Sequence, residues 1–424
     1  MKLAVVGGGS TYTPELVAGL ARERERIDLR ELVLHDIDAE RREVVGGLAQ
    51  RMLAAAGYPG KLDVTDDLDS ALDGATFVLV QLRVGGQAAR LTDETVPLAC
   101  GCIGQETTGA GGLGKALRTV PVVLEIAGRV RELAADGAWI VDFTNPVGIV
   151  TRALRDGGHR AVGLCNVAIG VQRLIARLCD VEPARVFVDQ VGLNHLTWVR
   201  AVQVDGRELL AELLADHGDA LAEQAGQPRA VLDELGAIPS YYLRYFYFHD
   251  EVLAEQRDGV PRATTVAEIE RELLRLYRDP SLTTKPKLLE QRGGAYYSEA
   301  ATQLVAALST AAGDVQVVDV RNEGAIPGLA ADDVVELPAR IGREGPVPLP
   351  QPPLAPELLG LVQHVAAYER LAAAAAITGD RMLVQKALLA HPLIGQVPQA
   401  DELVDLLLTK GAEYLPQFQG KALA

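Results

Sequence analysis

The 424-residue sequence holds little cysteine, few aromatics and no excess of positive charge. Its four cysteines, Cys100, Cys102, Cys165 and Cys179, are too few and too irregularly spaced for a disulfide framework, which points to a reducing, cytoplasmic setting. Cys100 and Cys102 stand one residue apart, poor spacing for zinc, and no second pair completes such a site; they read as small buried hydrophobes. Lysine and arginine number 41 against 57 acids, a formal charge of −16, so the basic face that nucleic acid or an anionic membrane requires is missing. An anionic small substrate is still compatible, provided a few arginines converge on one pocket. No uncharged apolar run reaches the roughly 18 residues of a membrane span. The opening MKLAVVGGGS is too short and too glycine-broken for a signal peptide.

What is present is a large apolar fraction, 48%, enough for a sizeable core. Short strand-like segments at 3–7, 31–38, 62–67, 75–82, 138–146 and 159–166 alternate with helical stretches such as 13–25 and 121–136. That rhythm predicts an α/β fold opening with a Rossmann-like, doubly wound parallel sheet over residues 1–166. After residue 166 it gives way to helical stretches (171–180, 207–224, 264–277, 358–378) and strand-like pieces (185–202, 315–320). Residues 167–424 therefore read as a mixed α+β domain for substrate, metal and oligomerisation. The proline-rich stretch 342–357 reads as an extended surface connection.

The strongest local signal is VVGGGSTYTPEL (5–16), a glycine turn between the first strand and the first helix. Gly7, Gly8 and Gly9 let backbone approach a pyrophosphate at the helix N-terminus, with Ser10 and Thr11 completing the turn. Asp36, ending the second strand, is placed for an adenosine ribose and favours NAD over NADP. The alternative is an ordinary tight turn with a helix cap. The glycine-rich stretch 100–119, with Gln105-Glu106-Thr107-Thr108 inside it, reads either as a loop over a ligand or as a plain surface loop. Asn145-Pro146 and Cys165-Asn166 each follow a strand, at the carboxyl edge where such sheets bind ligands. Cys165 and His195 are metal-ligand types, although two ligands do not define a site and a satisfied core histidine is the usual alternative. The tyrosines at 241, 242, 245 and 247 read as packing, or as a phenol whose environment makes it a base. Arg83, Arg90, Arg262 and Arg292 are candidates for a substrate anion, each alone more typical of a solvated surface.

Taken in order, GGGSTYTPEL, RVGGQAAR, IGQETTGAGGLGKALRT, DFTNPVGI, GLCN and GLNHL resemble glycoside hydrolase family 4, the NAD- and divalent-metal-dependent glycosidases. IPSYYLRYFY, NEGAIPGL and HPLI extend the resemblance over essentially the whole chain, and the Cys-Asn pair is most similar to the 6-phospho-β-glucosidase branch. The resemblance implies that Cys165 and His195 bind the metal, manganese, and that Asn145 and Asn166 contact the sugar. It also implies that Arg90 and Arg262 bind the substrate at its 6-phosphate. Tyr242 is implied as the base, with Tyr241 the alternative, and Glu106 behind it raises its basicity. Most glycosidases use a pair of carboxylates, and this NAD-dependent family is an exception. Its implied route is oxidation at C3 by NAD, removal of the C2 proton, elimination, water addition and re-reduction. A homodimer or homotetramer is implied as well. One departure stands at Val167-Ala168, where the family places a hydrophobic residue and then proline. The competing readings are a family member acting on a non-phosphorylated or α-linked glycoside, a NAD-dependent hydroxy-acid dehydrogenase using His195 without metal, and a nucleotide-binding regulatory protein.

Overall fold

The computed structural model describes residues 1–419, apart from 295, 311 and 312. The first apolar run becomes β1 (Lys2–Val6), with Leu3 to Val6 fully buried, as a strand covered on both faces must be. It pairs in parallel with β2 (Glu31–His35) and with β4 (Phe77–Val80); β3 (Lys61–Thr65) lies outside β2, and β5 (Trp139–Asp142) and β6 (Ala161–Gly163) follow β4. The order β3-β2-β1-β4-β5-β6 is that of a dinucleotide-binding sheet.

The sheet does not stop at β6. The remaining strands are β7 (Val186–Leu193), β8 (Leu196–Val204), β9 (Arg207–Glu208), β10 (Ile238–Pro239), β11 (Asp314–Arg321), β12 (Val334–Gly342) and β13 (Gly345–Pro348). The path continues β6-β11-β12-β7-β8-β10, all antiparallel, with β9 on β8 and β13 on β12. One core runs through both halves, from Leu3 to Leu415. The α/β expectation holds: a parallel Rossmann-type half followed by a mixed half.

Three local expectations change. The strand-like stretch 185–202 folds back on itself as the β7–β8 hairpin, its turn being Asn194-His195 alone. Within 342–357, residues 345–348 pair with β12 instead of running free, on an edge where proline is tolerated. Helices predicted from 171, 207, 264 and 358 start at Val167, Leu210, Arg262 and Pro356. No helix among the described residues is long and apolar enough to cross a membrane.

A single rung of the mixed sheet sets where Cys165 and His195 stand. Gly163, Asp319, Glu336 and Gly192 lie side by side on β6, β11, β12 and β7. Cys165 is two residues beyond one end of that rung, and His195 three beyond the other.

Candidate active site

Backbone geometry explains the glycine turn. Gly7 sits at φ +90°, where a Cβ would come within 2.6 Å of the Gln81 carbonyl oxygen; one on Gly8 would meet Leu34 at 2.8 Å. The amides of Gly7 and Gly8 both donate to the His35 carbonyl, and Gly9 donates to Asp36 Oδ2 at 2.9 Å. Ser10 Oγ accepts from the Tyr12 amide at 3.2 Å, and Thr11 is buried, its carbonyl taking the Tyr277 hydroxyl at 2.6 Å. The turn thus lies flat on the ends of β2 and β4, ahead of the helix Thr13–Arg22, with Asp36 beside it.

Glu106 is buried among three cations. Lys115 Nζ lies 2.6 Å from its Oε2, Arg90 Nε 3.2 Å from its Oε1, and Arg83 pairs with it through Nη1. Burial would lift its pKa, but Arg83, Lys115 and Arg90 together hold the carboxylate well below its usual range. Lys115, fully buried, is lowered as well: desolvation and then Arg83 bring it down to about 7, against the opposing pull of Glu106. The loop carrying Glu106 is tied at both ends, by Gln256 to the Gly104 amide at 2.9 Å and by His391 Nε2 to the Gly109 amide at 3.2 Å.

The Tyr242 ring stacks on the His195 imidazole, centroids 3.6 Å apart and planes 8° from parallel. Tyr241 is turned outward, 42% exposed, with Arg244 donating to its hydroxyl. Burial raises the Tyr242 pKa well above that of a free phenol; Cys165, Tyr245 and Glu106 add to the rise and Arg90 opposes it. His195 occupies φ +63°, uncommon for a residue with a side chain. Its hairpin is held from beneath: Glu336, buried on β12, accepts from Asn194 Nδ2 at 2.9 Å and from Gln190. Burial lowers the His195 pKa to about 3, so the ring is neutral, the form that ligates metals. The Cys165 thiol is buried and pushed well up by desolvation, then by Glu336 and Asp319.

The structure therefore gathers Cys165, His195, Tyr242, Glu106 and Arg90 around one centre, with Tyr242 electrostatically coupled to each of the others it does not touch. Asn145 Oδ1 is buried without a hydrogen-bond partner, an acceptor left for a ligand. Asn166 precedes the helix Val167–Leu178, in which Ala168 is the second residue. A first-turn amide has no helical partner, so exchanging proline for alanine there is structurally quiet. Arg262 is exposed at the rim, its Nη2 2.8 Å from the Gln291 carbonyl. The next amide, Ala263, donates to Glu94, which pairs with Arg90 at 2.7 Å. Arg292 is bound to Glu270 instead.

Sequence reasoning missed four participants. Thr107 Oγ1 is 2.8 Å from His195 Nδ1. Glu336 anchors the hairpin, and Asp319 lies beside it with both oxygens buried and unpartnered. Tyr297 meets Phe143 edge-on at 5.8 Å and Tyr12 at 6.5 Å; burial and then the Cys165 and Tyr242 charges raise its pKa. Only Thr107 had a nearby signal, its place after Glu106.

Among the described residues no group of three or more His, Cys, Asp or Glu side chains is arranged to hold a metal ion. A cation on Cys165 and His195 would accordingly keep positions open for substrate oxygens. The donor set fits: a neutral imidazole, a thiol that a bound cation would ionise, and two acidic side chains behind it. The glycine turn equally fits a dinucleotide, since Cβ atoms at Gly7 to Gly9 would collide with Gln81, Leu34 and Asp36 and lift the turn off the strand ends, ahead of the helix N-terminus.

Two family models match the chain, "Family 4 glycosyl hydrolase" over residues 2–181 and "Family 4 glycosyl hydrolase C-terminal domain" over 190–394. The chain is 41% identical to a probable 6-phospho-beta-glucosidase of Bacillus subtilis, covering 99% of this chain and 98% of the relative. It is 36% identical to the 6-phospho-beta-glucosidase of Escherichia coli, covering 99% and 97%. Among solved structures it is similar to the 6-phospho-beta glucosidase of Thermotoga maritima with manganese, NAD+ and glucose-6-phosphate, at 35% identity and TM-score 0.91, covering 98% of this chain and 99% of that one.

Proposed function

The chain belongs to family 4 of the glycosyl hydrolases, and from that membership we propose how this site works. The protein is a glycoside hydrolase for 6-phospho-β-glucosides and uses NAD and a divalent metal. When bound, NAD supplies reversible oxidation at C3 of the sugar and the metal polarises its C2 and C3 oxygens. In this reading Gly7, Gly8, Gly9, Ser10, Thr11 and Asp36 hold the NAD, and Cys165 and His195 the metal, manganese. Tyr242 takes the proton from C2, and Glu106, kept ionised by its three cations, strengthens that phenolate as a base. Asn145 and Asn166 orient the sugar hydroxyls, while Arg90 and Arg262 meet the 6-phosphate. The observation carrying this assignment is the stack of Tyr242 on His195, which puts a phenol against the proposed metal ligand and next to a buried anion.

Residues 1–166 serve the cofactor in this reading, and 167–424 the substrate, the metal and assembly into a homodimer or homotetramer. The substrate is a small phosphoglycoside met in the cytoplasm. The test compares 4-nitrophenyl β-glucoside with its 6-phosphate, with NAD, manganese and a thiol reductant, following nitrophenol and NADH absorbance together. Turnover of the phosphate ester without net NADH is expected. NADH accumulating with product would point to a dehydrogenase, and equal rates on the unphosphorylated glucoside would remove the phosphate from recognition.

A further inference from the structure

The Thr107 hydroxyl stands between two acceptor-capable groups, and its single proton decides which nitrogen of His195 is free. Thr107 Oγ1 is 2.8 Å from Gln105 Oε1 and 2.8 Å from His195 Nδ1. The Gln105 atom is fixed as the oxygen because the Thr107 backbone N–H also donates to it, and an amide nitrogen could not accept that bond. The hydroxyl proton therefore goes to Gln105, and Oγ1 must accept from His195. Nδ1 then carries the hydrogen and Nε2 the lone pair.

We propose that Thr107, oriented by Gln105, is the positioning residue that fixes the His195 tautomer and presents Nε2 to the metal. The inference rests on the reading of His195 as a ligand. Such partners of ligating histidines fix ring orientation and tautomer and raise basicity. The geometry is unusually well braced: Thr107 follows Glu106, which three cations grip, and the loop is tied at Gly104 and Gly109. On the ring face, stacked Tyr242 opposes tilting, and the Glu336–Asn194 bond holds the hairpin turn. The hydroxyl is thus the remaining element that chooses between the two nitrogens.

The test uses purified full-length protein and manganese alone, measuring Mn(II) affinity from the signal of the free ion, with NADH binding measured in parallel. Thr107→Val keeps the shape but removes the acceptor, and is expected to raise the Mn(II) Kd by about 10–100-fold. Thr107→Ser is expected to remain within about threefold of the parent, and neither change should move NADH affinity. An unchanged Kd in Thr107→Val, or an equal loss in Thr107→Ser, overturns the proposal. Should Thr107→Val lose NADH binding as well, nitrogen NMR of 15N-histidine in the metal-free parent decides: a proton on Nδ1 of His195 sustains the proposal and one on Nε2 overturns it. His195→Ala separates the underlying reading, because manganese affinity that survives it removes His195 as a ligand altogether.

Discussion

Glu369 offers a measurement of how strongly this interior resists charge. It lies on the long helix Pro356–Thr378, 6% exposed, with its carboxyl packed so closely over Gly148 that a Cβ there would sit 2.6 Å from Oε1. The cation that acts on it, Arg152, is already shared among Asp156, Asp332 and Asp333. Burial accordingly lifts the Glu369 pKa from 4.5 to about 8, with Arg152 pulling it down and Asp333 pushing it up. Between those values the folded protein keeps a proton that the unfolded chain has released, so stability falls as pH rises through the window. Each pH unit costs about 1.4 kcal/mol there, or about 2–3 kcal/mol from pH 5 to pH 7. Glu369→Gln carries no titrating proton. It should match the parent within about 1 kcal/mol at pH 5 and exceed it by about 2–3 kcal/mol at pH 7. Urea unfolding at the two pH values, followed by tryptophan fluorescence, reads the difference directly. Equal offsets at pH 5 and pH 7 would mean that Glu369 is ionised in the folded state and that the argument from burial is wrong.

Tyr242→Phe should lower kcat by on the order of 10²- to 10⁴-fold and stop exchange of the C2 proton with deuterated solvent; exchange that persists would transfer the role to Tyr241 or water. Arg262→Ala should raise KM for the 6-phosphorylated glycoside while leaving NADH binding alone, and an unchanged KM would detach the rim arginine from the phosphate. Gly7→Ala places a side chain at φ +90° against the Gln81 carbonyl, with about 1–2 kcal/mol of backbone strain before any clash. NADH affinity should fall at least tenfold in that variant, and full retention would show that the turn does not contact the cofactor.

The parallel half was legible because its central strands are short apolar runs at a regular spacing between helical stretches, and such runs have few other fates; β3, KLDVT at the sheet's edge, is the polar exception. The mixed half was not. Nothing local to 314–321 or 334–342 says that these strands enter between β6 and β7, since either edge of a sheet satisfies the same backbone groups. The hairpin at Asn194-His195 was hidden for another reason: its positive φ falls on a histidine, where turn chemistry predicts glycine or asparagine. In the site, Tyr242, Cys165 and His195 came from motif spacing that carries a family resemblance. Glu336, Asp319 and Tyr297 reach the centre only through tertiary packing across more than a hundred residues of chain, which spacing does not encode. Thr107 lay inside a motif already singled out, yet its partner was visible only in three dimensions.

The insertion of β11 and β12 between β6 and β7 also bears on biosynthesis. β6 is finished at Gly163, but the strand that covers its open side begins at Asp314. At about 5–20 residues per second, that edge waits roughly 8–30 s on the ribosome with its amides and carbonyls unpaired. Nor can the β7–β8 hairpin close the gap, because β12 must be laid down first. A ribosome stalled between those points would therefore present a Rossmann half with one raw margin, ready to recruit any other extended chain.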